Sequence, residues 1–480
     1  MAGTITPTDS ADVDGHDAQD GQGPSDVQMR TGLSPKLGPS AGQVPMRPYP
    51  EHALPPGARP NIVAVDHFPR LSLAERGRRW DGLRKRMIFG GVDCLLLLGT
   101  DMYWDMGLAN LRYVTGLGAK MGTKCLFFLD EDPIVYNAVP HMSRPFHVQE
   151  SVQDWISDIR IFRGPMEIAA ELRDRGLDRS RIGIVGFSSA ILSTSVFVEA
   201  ELQALRAALP AARLVDFGYA LEEMRMVKSE EELDFMRRGG KIARKVIDTM
   251  VQGARPGVLE AELYADMVGT QIANGAEPNI FNLLSSGPVE HPPTELWHLL
   301  HGSDQPATPT MRPLAAGDNV ISEFHTKYGG YLVHTEYTVH IGSRVPAQLQ
   351  RIWDVSLECL DISQDMMRPG VTIRELLDAL RRPAAKAGLD WVELGFHAMG
   401  LASPEFPTVV YKPGFGMNTA NGHGIGDLVL QEGMTFGNNI DLFDPAWKPD
   451  VGCMLSDCMV VREGGAELLV GTPRTIGLGG

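Results

Sequence analysis

The nine residues Arg255–Leu263, RPGVLEAEL, come back 113 positions later as Arg368–Leu376, RPGVTIREL. Each copy follows a helical stretch, turns on Pro-Gly and opens an amphipathic helix. A single motif repeated at such wide spacing is not a solenoid period. It constrains the C-terminal part of the chain to two similar α/β halves, with any shared site in the cleft between them.

The segment before the first copy, MRMVKSEEELDFMRRGGKIARKVIDTMV, is a strong helix signal. Ser229 caps it, acids crowd its first turn and basic residues follow, as the helix dipole favours. A domain boundary is therefore expected near residue 225. Upstream, LSLAERGRRWDGLRKRM reads as a helix capped by Ser72. The short apolar runs VDCLLLLG, LRYVTGL, KCLFFLD, PIVYNAV, RIGIVGF and ARLVDF alternate with helical stretches such as PMEIAAELRDRG. That pattern predicts a mixed, largely parallel α/β domain. Residues 1–60 are rich in Asp, Gly, Pro and Ser without a sustained hydrophobic period, and read as a disordered or loosely docked tail. The expected division is a tail over 1–60, an α/β domain over 61–224 and a second domain over 225–480.

A net charge of −16 argues against a nucleic-acid partner, which needs a basic face. The start, MAGTITPTDSADVDG, has neither the basic nor the apolar region of a leader peptide. The longest apolar run, CLLLLG at 94–99, is too short to span a bilayer, so no membrane partner is expected. Five scattered cysteines without a CxxC pair fit reduced thiols and a cytoplasmic setting.

Chemistry concentrates in ISEFHTKYGGYLVHTEYTVHIG, residues 321–342, where His325, His334 and His340 stand among Glu323 and Glu336 around a Tyr-Gly-Gly-Tyr turn. Eight of the thirteen histidines lie between 291 and 423. On a strand, His334, Glu336 and His340 share one face. Histidine is the side chain suited to proton transfer near neutral pH. A neighbouring carboxylate is expected to raise its pKa and fix its tautomer. His340, near the strand end, is expected to be structural.

Several segments together, in this order, resemble the creatinase/aminopeptidase P family: VKSEEELDFMRR, the two RPGV turns, GDNVISEF…YGGYLVHTEYTVHIG, GFHAMGLASPEFP and LQEGMTF. The resemblance covers roughly residues 70–475. It implies a small creatinase-like N-terminal α/β domain followed by a pita-bread domain of two pseudo-symmetric halves, and a homodimer. In the family's metallopeptidases, two aspartates, a histidine and two glutamates hold two metal ions. Aligned locally, the second aspartate falls on His334 and the first among Ser322, Glu323 and His325. The histidine falls on His397, which lies 42 residues before Asn439 and precedes Pro404-Glu405-Phe406-Pro407. The more literal match at Gly422-His423-Gly424 lies only 16 residues before Asn439, so His423 is expected in a Gly-rich loop, either solvated or lining the pocket. The two glutamates fall on Asn439 and Ser456. Neither supplies the anionic oxygen that bridges two divalent ions.

Creatinase itself, as the resemblance implies, works without metal through a histidine and glutamates that grip the substrate. SSGPVEHPP at 285–293 resembles its histidine loop and points to His291, and Glu336 matches a substrate-binding glutamate. The expectation is an enzyme that cleaves a small polar metabolite, by C–N hydrolysis or β-elimination, through His291, His334, Glu336 and His397 without a cofactor. Glu323, His325, Tyr331, Trp297, His298, His423 and Asn439 are the expected substrate contacts. His301 is expected to line the same pocket. One alternative is a hydrolase or lyase, similar to Xaa-Pro peptidases or dimethylsulfoniopropionate lyases, with a single zinc, iron or nickel ion on His325, His334, His397 and Glu323. The other is a catalytically inactive binding domain.

Overall fold

A computed structural model describes residues 69–100, 105–118, 122–137, 153–189, 198–278, 281–290, 309–408 and 424–480. The tail over 1–60 and the site candidates His291, Trp297, His298, His301 and His423 lie outside the described residues.

The first helix, α1 (Leu73–Gly90), starts where Ser72 accepts a hydrogen bond from the Glu75 N–H and stops on Gly91 in the left-handed region. Strand β1 (Cys94–Gly99) is the fully buried apolar run expected to be a core strand. It forms a six-stranded sheet with β2 (Thr123–Phe128), β3 (Ile134–Asn137), β4 (Asp158–Ile161), β5 (Arg181–Val185) and β6 (Arg213–Asp216), in the order β4-β3-β2-β1-β5-β6. The pairs β1·β5, β5·β6 and β3·β4 are parallel, and β1·β2 and β2·β3 antiparallel. The mixed, largely parallel sheet read from the sequence is the one present, accompanied by helices α2 (Ala109–Thr115), α3 (Pro165–Asp174), α4 (Glu199–Ala208) and α5 (Gly218–Met226).

The duplication is visible in the second part. Long helix α6 (Glu230–Gly253) is followed by α7 (Glu260–Ala273), and α8 (Ala347–Met366) by α9 (Ile373–Ala387). Between the helices of each pair, the RPGV turn puts its glycine in the left-handed region, Gly257 at φ +90° and Gly370 at φ +93°. Each turn then makes an isolated antiparallel bridge, Leu259 with Pro313 and Thr372 with Val429. In each, the next helix begins with a glutamate that accepts from the backbone N–H three residues earlier, Glu262 from Leu259 at 3.0 Å and Glu375 from Thr372 at 2.9 Å.

Each half carries its own antiparallel core. The first sheet runs β7 (Asn282–Pro288), β8 (Asp318–Tyr328), β9 (Tyr331–Ile341) and β16 (Gly477–Gly479), with β16 parallel to β9. The second is built on β10 (Asp390–Ala398) and β12 (Thr435–Asp444), with β11 (Glu405–Thr408), β13 (Lys448–Leu455), β14 (Cys458–Val460) and β15 (Glu467–Leu468) beside them. Residues 328–331 close β8 onto β9 with a two-residue turn. Gly329 and Gly330 both have positive φ, the geometry that continues the twist of a hairpin. One face of that hairpin, with Phe324, Val333 and Tyr337, packs into the apolar core under α6. Gly239 lets α6 approach, since a Cβ there would sit 3.2 Å from the Val333 side chain. The opposite face is polar.

Candidate active site

Hairpin register sets the first half of the cluster. Glu323 stands opposite Glu336 and His325 opposite His334, so period-two alternation puts all four side chains on the face turned away from α6. The second sheet supplies the other wall. On β10 and β12, His397 pairs with Gly437 and Gly395 with Asn439, and Asp441 follows two residues later on the same face. Gly437 is turned toward His334: a Cβ there would lie 2.6 Å from the ring Nδ1.

Distances make this one cluster. His334 Nε2 lies 3.4 Å from Oε1 of Glu323 and 3.4 Å from Oε1 of Glu336. His325 Nε2 lies 3.4 Å from the same Glu323 oxygen. The His334 ring is stacked on that of His397 at 5.3 Å and approaches that of His325 at 5.1 Å. His325 is backed by Phe281 at 4.2 Å. Asn439 donates its side-chain amide to Glu336 Oε1 at 2.8 Å. His334 and Glu336 are completely buried, and the other members nearly so.

Burial decides the electrostatics. It pushes His325 and His397 well below the ordinary imidazole value, and the neighbouring histidines lower them further. His334 is also lowered by burial, against the pull of Glu323 and Asp457. The neighbouring carboxylate does pull the His334 pKa upward as the sequence suggests, but burial outweighs it and the net shift is downward. Desolvating an imidazolium here costs more than its carboxylate neighbours return. The same burial pushes Glu336 well above the ordinary range, reinforced by Glu323 and Glu393 and opposed by hydrogen bonds to Asp441 and Asn439. Asp441 is raised likewise by burial, Glu336, Glu393 and Glu323. The result is a set of imidazoles, with Glu336 and Asp441 beside them, all shifted by burial toward their uncharged forms.

Of the residues singled out in the sequence, Glu323, His325, His334, Glu336, His397 and Asn439 come together. Tyr331 does not. It sits on the apolar face of β9, donating to Glu232 at 2.8 Å and accepting from Arg79 at 2.8 Å. Odd-numbered residues of β9 point to the helix side, which parity alone indicates. His340 lies six residues along the strand, about 20 Å away, beside Asp318. Ser456 uses its hydroxyl to accept from the Glu336 N–H at 2.5 Å, and Asp457 accepts from Val470 and Thr472, so both stitch strands together.

Sequence reading missed Asp441, Glu393 and Gly437. The signal for Asp441 was present, because Asn438, Asn439 and Asp441 interrupt an apolar strand. Gly437 gave none, since only the facing ring makes its missing side chain matter. A Gly437→Ala variant is expected to lose about 10²-fold in kcat by displacing His334, with KM moving less. Steady-state kinetics on the enzyme's substrate checks this, and an unchanged kcat would show that the ring has room to shift.

Two family models match the chain: the Creatinase/Prolidase N-terminal domain over residues 79–227, and Metallopeptidase family M24 over residues 234–463. The ectoine hydrolase of Halomonas elongata is 26% identical over 430 residues, 83% of this chain and 96% of that protein. The probable dipeptidase PepE of Mycobacterium tuberculosis is 29% identical over 266 residues, 53% of this chain and 61% of that protein. Among solved structures, the X-Pro aminopeptidase of Thermotoga maritima superposes with a TM-score of 0.65 at 18% identity, over 83% of this chain and 99% of that one. The prolidase of Pyrococcus horikoshii gives 0.64 at 18% identity, with the same coverage. The fold is thus the expected pita-bread domain behind a creatinase-like N-terminal domain. Matched by both models in that order, the chain belongs to the creatinase/aminopeptidase P family and is a hydrolase of that family.

Proposed function

We propose that this enzyme hydrolyses a C–N bond in a small polar metabolite, at the face where His334 meets Glu336 and His397. The observation that carries this reading is the convergence of those buried side chains from strands of two sheets. His397 places Nδ1 3.2 Å from the Ala398 carbonyl, which holds the ring proton on that nitrogen and the lone pair on Nε2. A neutral imidazole so oriented takes a proton from an attacking water, a contribution of about 10²–10⁴-fold. Glu336, whose pKa burial raises and whose carboxyl Asn439 orients, returns a proton to the departing amine.

The similarity to ectoine hydrolase runs nearly the full length of that protein, whereas the dipeptidase match spans 61% of its own. This supports a metabolite rather than a peptide, and hydrolysis rather than elimination. The homodimer, the cytoplasmic setting and the division of the chain at residues 60 and 224 stay part of the same proposal.

The test is a panel assay of the purified enzyme on ectoine, creatine, related cyclic and acyclic amidines and amides, and Xaa-Pro dipeptides. Turnover with release of an amine from a metabolite is the expected result. Efficient cleavage of Xaa-Pro dipeptides in place of metabolites would overturn the reading, and an unsaturated product would mark elimination instead.

A further inference from the structure

The family resemblance implies two divalent ions, and the residues present do not fit two. Ions held about 3.5–4 Å apart need anionic oxygens between them. At the two positions given for bridging glutamates stand Asn439 and Ser456. The Asn439 amide is committed to Glu336 at 2.8 Å, and the Ser456 hydroxyl to the backbone of Glu336 at 2.5 Å. Both are uncharged, and neither hydroxyl nor amide replaces a bridging carboxylate.

We propose that the site instead holds one divalent cation, on Glu323 Oε1, His325 Nε2 and His334 Nε2. The inference rests on the cluster being the active site and adds what the cluster binds. Its first support is spacing. The Glu323 oxygen lies 3.4 Å from each of the two imidazole nitrogens, and the donor atoms of all three residues lie within 4.8 Å of one another. Donors about 2.0–2.2 Å from a tetrahedral ion stand about 3.3–3.6 Å apart, because the tetrahedral edge is roughly 1.6 bond lengths.

A second, independent support is His334 itself. The residue is completely buried, yet neither ring nitrogen makes a hydrogen bond. Buried polar atoms have partners as a rule, and an imidazole aimed at a carboxylate oxygen across 3.4 Å has the separation that a shared ion would close. The rings are also fixed in place, His325 against Phe281 and His334 against His397.

Two histidines and one carboxylate with a fourth position open is a catalytic donor set rather than a closed structural one. Its mixed nitrogen and oxygen donors suit zinc, iron or nickel over magnesium or calcium. The resemblance places one aspartate among Ser322, Glu323 and His325 and the other on His334, so two histidines and one carboxylate here make a differently built centre. A cation there supplies Lewis-acid polarisation and a more acidic water.

The experiment uses the full chain, stripped with a chelator and titrated separately with Zn²⁺, Ni²⁺ and Co²⁺. Calorimetry and elemental analysis are expected to give one ion per chain, and Co²⁺ the intense visible bands of a four-coordinate site. His325→Ala and Glu323→Gln should each weaken binding by at least about 100-fold. Two ions per chain, or no binding by the wild type, would overturn the proposal without any variant having to fold. The two readings fail separately. Turnover by a chain that binds no ion sinks only the cation, and one bound ion without turnover of any C–N substrate sinks only the hydrolysis.

Discussion

His334→Ala is expected to lower kcat by about 10²–10⁴-fold, the largest functional effect of any single substitution in this chain. The ring is the hub of the cluster. It reaches Glu323 and Glu336 at 3.4 Å each, stacks on His397 and approaches His325. Its removal breaks the contact between the carboxylates of the first sheet and the histidine of the second. The effect is the same in direction whether the nitrogen handles a proton or binds a cation. In the second case the variant also loses the ion, which separates the two roles. His334→Asn keeps a polar side chain and should recover little, because an amide is neither a base nor a strong ligand. Steady-state kinetics with the metabolite identified from the panel, on protein whose thermal midpoint is retained, is the measurement. A kcat within threefold of wild type would place the active site elsewhere.

The second large effect is on stability. Glu405→Gln should destabilise the fold by about 3–5 kcal/mol, as removing one partner of a buried ion pair does. The Glu405 carboxylate is 1% exposed. It accepts from Lys228 at 2.8 Å, from Arg225 at 3.1 Å and from the Ala402 N–H at 3.2 Å. Gly400 makes room for it, since a Cβ there would lie 2.5 Å from one carboxylate oxygen and 2.9 Å from Lys228. Glutamine keeps the shape and leaves two buried cations without a counter-charge. Burial alone would raise the Glu405 pKa, but Arg225 and Lys228 outweigh it and hold the group below its usual value of 4.5. A depressed folded-state pKa means the carboxylate contributes fully above about pH 4.5, and the contribution is lost as pH falls through the lower folded value. The gap between wild type and Glu405→Gln should therefore be widest near neutral pH and narrow in acid. Denaturant titrations at pH 7 and below 4 check it, and a gap under about 1 kcal/mol at pH 7 would mean the cations are hydrated.

Most of the fold was legible because it is written in local patterns. The RPGV echo announced two halves, and both copies fold as the same turn, bridge and glutamate-capped helix. Ser72 and Ser229 cap the helices they were read to cap, and the second does so with a reciprocal bond to Glu232. Parity along β9 put His334 and Glu336 on one face, and the two glycines at 329 and 330 set the register that brings Glu323 and His325 of β8 opposite them. Parity erred only by not being applied to Tyr331, whose odd position sends it into the helices.

The pKa of the histidines was not legible. Chain neighbours predict a carboxylate beside an imidazole, but the sign of the shift depends on how much water both have lost, and that is a property of two sheets closing on each other. The same holds for Asp441, for Glu393 and for Gly437, whose roles exist only across the gap between two halves distant in sequence. The sequence by itself determined the elements, the duplication and which residues of the hairpin face the cleft, because periodicity and turn chemistry act over a few residues. Only the tertiary structure decided that His334 is the residue on which both sheets converge and that burial shifts His325, His397 and Glu336 toward their uncharged forms, because burial and distance are set by packing that no local pattern encodes.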